Sequence, residues 1–176
     1  MSAAESAAGG LPAAASGWRF LPLALLVIVA DQMLKAWVVH HFTLVERLRL
    51  LPVLDITLTY NTGAAFSFLS EASGWQRWLF VVLALSVSAV LILWLRRLSV
   101  AQHGVLACGL ALILGGALGN MVDRLTRGEV VDFVHAHWGR HYFPAFNVAD
   151  SAITLGAVAL LIDAWLESRT GRRGGN

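Results

Sequence analysis

Three aspartates lie where long apolar runs begin or end. Asn120, Asp123 and Arg124 close one run. Asp132 follows inside Val130-Val131-Asp132-Phe133, and Asn147 and Asp150 open the next run in Phe146-Asn147-Val148-Ala149-Asp150-Ser151. A carboxylate beside lipid costs several kcal/mol unless something compensates it, so this placement marks a polar site where a bilayer meets water. Asp132 has valines and a phenylalanine for neighbours, and desolvation there favours its protonated form. Asp150 sits in a similarly apolar context, with Asn147 one helical turn behind it. Facing each other, the two would share one proton and titrate as a unit. An aspartyl hydrolase needs that state: one carboxylate activates water as general base, while the protonated partner polarises the scissile carbonyl and later protonates the leaving amine. Asp123 stays open as a third candidate, because beside Arg124 it equally fits a salt-bridged helix end.

Asp31 and Lys35 are four residues apart and share one helix face, as a structural ion pair does. Gly115 and Gly119 have the Gly-x-x-x-Gly spacing that lets membrane helices approach closely. His135, His137 and His141 lack the ligand spacing of a hydrolytic zinc site, so no metal is expected. Cys108, the single cysteine, lies mid-run as a small packing residue. No Gly-x-Ser-x-Gly or phosphate-binding loop occurs.

The elements that must position these residues are set by composition. The 176-residue chain is 57% hydrophobic and only 14% charged, against about 25% charge in soluble domains. It reads as one membrane domain. The net charge of +2 comes mainly from arginines at the ends of apolar runs. That placement suits lipid headgroups and excludes a nucleic-acid partner. The runs cover about 20–39, 78–95, 105–122 and 148–162, each near the length of a bilayer-spanning helix. Asp31, Gln32 and Lys35 interrupt any signal-peptide cleavage pattern after the first run, so it is read as a helix.

Asp55-Ile56-Thr57-Leu58-Thr59-Tyr60 alternates as a half-buried strand does. Asn61-Thr62-Gly63 signals a turn, and Ala64 to Phe68 reads as a return strand. The expected fold is therefore an all-α membrane protein of four transmembrane helices. A small extracytoplasmic β-hairpin or sheet lies between helices 1 and 2, and an extracytoplasmic segment between helices 3 and 4. Residues 1–17 are expected to form a disordered cytoplasmic tail, 18–167 the single four-helix domain, and 168–176 a basic cytoplasmic tail. Arg96-Arg97 in the shortest loop assigns that loop and both termini to the cytoplasm.

Five segments together resemble the bacterial lipoprotein signal peptidase (signal peptidase II) family. They are Asp31-Gln32-Met33-Leu34-Lys35, Tyr60 to Phe66, Gly115 to Arg124, Gly128-Glu129-Val130-Val131-Asp132-Phe133 and Phe143 to Ser151. The likeness runs from about Trp18 to Leu166. It implies an intramembrane aspartyl endopeptidase of the inner membrane, with its active site near the extracytoplasmic face. Such an enzyme removes signal peptides from diacylglyceryl-modified prolipoproteins, cutting just before the lipidated cysteine. The resemblance maps the catalytic pair onto Asp132 and Asp150. It maps site support onto Asn61, Gly63, Asn120, Asp123, Arg124 and Asn147, and the structural pair onto Asp31 and Lys35. It implies no metal or cofactor, sensitivity to the cyclic peptide globomycin and contact with membrane lipid; a monomer is the expected state, with oligomerisation left open by the sequence. Two other classes fit less well. A proton-coupled transporter would place its acids mid-membrane within repeats, and none is visible. A helix-binding assembly factor has no need of three clustered aspartates.

Overall fold

A computed structural model describes residues 16–63 and 74–170. Its four long helices are α1 (Leu21–His41), α2 (Trp75–Arg97), α3 (Val100–Thr126) and α4 (Val148–Thr170). All are long and apolar enough to cross a membrane. Each extends past the apolar run that signals it, because polar terminal turns continue the helix beyond the greasy stretch. A short 3₁₀ helix, Gly17–Phe20, leads into α1. Pro22 stands in the first turn of α1, where its missing N–H has no partner to lose. The backbone of Ser16 pairs with Ser99, which ties the start of the described chain to the turn between α2 and α3.

Helix α3 is the hub. Half of its most apolar stretch is buried, against 22–28% for the other three. Leu95 of α2 and Ala107, Leu110, Ala111 and Leu114 of α3 form the core of the bundle. Leu25, Leu26, Met33, Val82, Leu83, Leu155 and Leu161 are exposed on the outer faces, as lipid-facing residues are when hydrocarbon replaces water as the solvent. Gly116 explains one close approach. A Cβ there would collide with the Ala149 backbone oxygen and Ile153 of α4. Gly115 instead faces Ala24 and Val27 of α1. The small-residue stretch thus serves two partners at once.

The strands are β1 (Arg47–Leu51), β2 (Leu54–Asn61), β3 (Val130–Trp138) and β4 (His141–Tyr142), in one antiparallel sheet of order β1-β2-β3-β4. The alternating segment at 55–60 is indeed a strand, β2. Its hairpin partner is the preceding β1, with Arg47 opposite Thr57 and Leu51 opposite Leu54. The expected return strand at 64–68 lies outside the described residues. The segment after α3, expected only as an extracytoplasmic stretch, supplies β3, the second partner of β2. Its first four residues, Val130 to Phe133, are all buried. A strand covered on both faces shows no alternation, so its type cannot be read from periodicity. Gly128, at φ +90°, makes the sharp exit from α3 into β3, a left-handed turn that favours glycine. A second core of Val38, Leu58, Val131 and Phe133 fastens the sheet to α1.

Candidate active site

Asp132 enters the site from β3, opposite Thr59 of β2. Asp150 enters from the first turn of α4. Asn147 organises that turn. Its side-chain oxygen accepts the Asp150 N–H at 2.9 Å, and its own N–H donates to Asp150 Oδ2 at 3.3 Å. This reciprocal pairing is a capping box, which satisfies helix-start donors that would otherwise be buried without partners. The Asn147 amide also donates to Asp132 Oδ1 at 2.7 Å. One residue therefore touches both carboxylates, and Asp132 and Asp150 line the same cavity, of about 960 Å³.

The remaining polar residues close around the pair. Asn61 donates to Asp132 Oδ2 at 3.2 Å, while its oxygen accepts the Gly63 N–H at 3.0 Å. Arg124 donates to the Gly63 carbonyl at 2.8 Å, which holds the turn carrying Asn61. Asn120 donates to Asp150 Oδ1 at 2.8 Å. Its oxygen accepts from Lys35 at 2.9 Å and from Asn147 at 3.2 Å.

Asp31 and Lys35 pair at 2.7 Å, both fully buried. Lys35 also meets Asp123 at 2.8 Å, so the expected pair is a triad. Asp123 does not pair with its neighbour Arg124. Its partners are Lys35, Arg127 at 2.7 Å, Gln32 at 3.0 Å and the Val131 N–H at 3.2 Å. Successive helix residues point about 100° apart, which turns Arg124 toward the cavity and Asp123 into the bundle. Asp31 in turn accepts the Ala149 N–H at 2.9 Å, linking α1 to the start of α4. Gln32 and Arg127 were not singled out in the sequence. A glutamine next to Asp31 inside a span was the available signal for Gln32. The i,i+4 spacing of Arg127 from Asp123 was the signal for Arg127.

Burial pushes the Asp132 carboxyl up to about 7, and the charge of Asp150 adds to the effect. The amides of Asn61 and Asn147, with Lys35 behind them, restrain the rise. Asp132 thus sits where a side chain can hold or release a proton near neutrality, as acid–base chemistry requires. The three histidines after Asp132 are not gathered at the carboxylates. His135 lines the cavity, His137 lies 3.4 Å from Asp55, and His141 is exposed.

Four helices able to span a membrane, a sheet packed on one end and two carboxylates lining a cavity at that end fit a polytopic membrane enzyme. Solved structures agree. One bacterial membrane enzyme, determined by the in meso method at 2.3 Å, aligns with TM-score 0.76 and 27% identity over 90% of this chain and 93% of its own. A second, at 1.9 Å, aligns with TM-score 0.70 and 28% identity over 82% and 90%. The family model described as signal peptidase (SPase) II matches residues 23–166. Proteins named lipoprotein signal peptidase are similar along nearly their whole length. The one from Pseudomonas fluorescens is 53% identical over 157 residues, covering 88% of this chain and 91% of that protein. The one from Shewanella sp. (strain MR-4) is 49% identical over 155 residues, covering 88% and 91%. The chain belongs to the signal peptidase II family and is a multi-pass membrane peptidase.

Proposed function

We propose that the chain removes signal peptides from diacylglyceryl-modified prolipoproteins, cutting just before the lipidated cysteine, with Asp132 and Asp150 as a general acid/base dyad. The observation that carries this reading is the double contact of Asn147, which braces Asp132 through its side chain and Asp150 through the capping box. The two carboxylates come from segments with no shared secondary structure, and they line one cavity.

The proton of the resting dyad is assigned to Asp132, whose carboxyl titrates near 7. Asp150 then acts as general base on water, and Asp132 polarises the scissile carbonyl. Attack gives a tetrahedral intermediate, and the departing amine takes its proton from the dyad. Asn61, Asn120 and Asn147 hold the carboxylate oxygens in place. Arg124 and Gly63 fix the turn that carries Asn61. Lys35, Asp31 and Asp123 form the buried base beneath Asn120.

The cavity is mainly apolar, with Ile153, Leu155 and Phe146 on its wall. That composition suits a substrate whose acyl chains stay in the bilayer while its peptide meets the carboxylates. The site is assigned to the extracytoplasmic side of the inner membrane. Arg96-Arg97, at the opposite end of the bundle, then faces the cytoplasm with both termini. The protein acts as a monomer without metal or cofactor in the reaction, and globomycin competes for the same cavity. The test is a gel-shift assay on a diacylated prolipoprotein in detergent, with and without globomycin. Cleavage of the diacylated form alone, blocked by globomycin, is the expected outcome. Equal cleavage of the unlipidated form would overturn the substrate assignment.

A further inference from the structure

At the far end of α3 and α4, about 30 Å from Asp123 along α3 at 1.5 Å per residue, a second group of polar side chains meets. His103 comes from the first turn of α3, and Asp163 and Glu167 come from α4 at i,i+4 spacing. One donor atom from each lies within 4.8 Å of the others. His103 Nδ1 is 3.1 Å from Glu167 Oε1 and 3.7 Å from Asp163 Oδ2.

Two observations set this group apart from an ordinary helix-end ion pair. Asp163 is only 8% exposed, yet among the described residues its carboxylate has no hydrogen bond, and its nearest partner is the imidazole at 3.7 Å. His103 Nδ1 is itself buried without a hydrogen bond. A buried carboxylate normally has at least one hydrogen-bond partner, and here Asp163 faces a ring nitrogen that, although 3.1 Å from Glu167, makes no hydrogen bond. In addition, α3 breaks its helical geometry at His103 (φ −133°, ψ 45°), which delivers the ring toward α4.

We propose that His103, Asp163 and Glu167 bind a divalent transition cation of the zinc class, clasping α3 to α4 at the end of the bundle remote from the dyad. Zinc bonds of about 2.0–2.2 Å to nitrogen and carboxylate oxygen imply ligand–ligand edges near 3.3 Å in a tetrahedron. The 3.1 and 3.7 Å separations from His103 bracket that edge, and the two carboxylates, within 4.8 Å of each other, need to close by about an ångström onto the cation. One imidazole and two carboxylates leave a fourth position for water. Two carboxylates on successive turns of one helix present their oxygens on the same side, and the histidine closes the set from the neighbouring helix. The cation supplies the positive charge that Asp163 otherwise lacks in an apolar setting. This site is separate from His135, His137 and His141, where no metal was expected.

The test uses the full-length protein in detergent with any affinity tag removed and after dialysis against a chelator. Zinc chloride is titrated while thermal unfolding is followed, and cobalt(II) chloride is titrated while the visible absorption is recorded. The expected result is saturable one-to-one zinc binding with a raised unfolding midpoint, and cobalt bands typical of a low-coordinate nitrogen/oxygen site. E167Q and D163N should weaken binding by more than the roughly 10–100-fold that loss of a supporting partner costs. D132N should bind as the wild type does. E167Q alters a partly exposed side chain, so it tests the idea even if D163N misfolds. Zinc binding that is no tighter in the wild type than in an H103Q/D163N/E167Q triple variant would overturn the proposal and leave the group an ion pair only. Binding lost on replacing His135 and His137 instead would also overturn it.

Discussion

Asn147 donates from its side-chain amide to Asp132 Oδ1 at 2.7 Å, while its backbone opens the helix that carries Asp150. A structural device, the helix cap, is thus shared with a chemical one, the brace on a carboxylate. Asn147→Ala removes both. Loss of the cap costs about 0.5–2 kcal/mol, seen as a lower unfolding midpoint, and cleavage falls sharply. Asn147→Asp separates the two roles, because aspartate caps as well as asparagine but sets a negative charge against Asp132. Its unfolding midpoint should stay closer to the wild type than that of Asn147→Ala, with cleavage still lost. Full cleavage by Asn147→Asp would remove the brace from the mechanism.

Asp132→Asn and Asp150→Asn each keep the side-chain volume and delete the titratable proton. Each should lower cleavage of a diacylated prolipoprotein by at least the 10²–10⁴-fold typical of lost acid–base catalysis, in protein that elutes and unfolds as the wild type does. Normal turnover by either variant excludes that residue from the dyad.

The pH dependence has a definite sign. Asp132 has its pKa raised to about 7 in the folded protein, from about 3.9 in an unfolded chain. Its contribution to stability is therefore complete below about 4 and is lost as pH rises through about 7. The same deprotonation removes the acid of the dyad, so kcat should fall on the alkaline side with an apparent midpoint near 7. The stability of Asp132→Asn should lack this decline, which runs between about pH 4 and pH 7. A wild-type rate that stays flat from pH 6 to 9 would contradict the assignment of the proton.

Lys35 pairs with both Asp31 and Asp123 inside the bundle, all three side chains are fully buried, and Arg127 supplies the second positive charge. Lys35→Met leaves Asp31 without a cation, while Asp123 keeps Arg127. Breaking a buried pair in this way costs about 3–5 kcal/mol, so the unfolding midpoint should drop strongly. Restoring much of it with Lys35→Met/Asp31→Leu would locate the cost in the stranded carboxylate. An unchanged midpoint in the single variant would rule out the triad as a structural anchor.

Gly116 lies where α3 meets the start of α4, against the backbone of Ala149. Gly116→Ala forces the two helices apart, at a cost of about 1–3 kcal/mol for overpacking. Because Ala149 neighbours Asp150, cleavage should fall more steeply than stability. The comparison to make is Gly104→Ala, where a Cβ meets nothing within 4 Å; that variant should leave cleavage unchanged and leave the unfolding midpoint unchanged or slightly raised, since alanine favours a helix over glycine.

The helices were legible in the chain itself. Runs of about twenty apolar residues have few alternatives in a bilayer, and hydropathy depends on composition rather than on contacts. The alternation at 55–60 likewise announced a strand, but not its inward face: β2 buries Asp55, Thr57 and Leu58 and leaves Tyr60 exposed, with a register shift between Ile56 and Thr59. The local pairing of Asp31 with Lys35 could be read from their spacing on one helix. What the chain did not reveal were the long-range partnerships. Val130 to Phe133 is buried on both faces, so nothing in its pattern marked it as the strand that brings Asp132 beside β2. Asp123 stands next to Arg124 in sequence, but helical rotation points them apart and gives Asp123 to Lys35 and Arg127. The meeting of β3 with the first turn of α4, and of His103 with Asp163 and Glu167, depends on how α3 packs against its neighbours. Local propensity and hydropathy carry no information about which side chains share a space once the chain has closed on itself, and only the tertiary fold decides that.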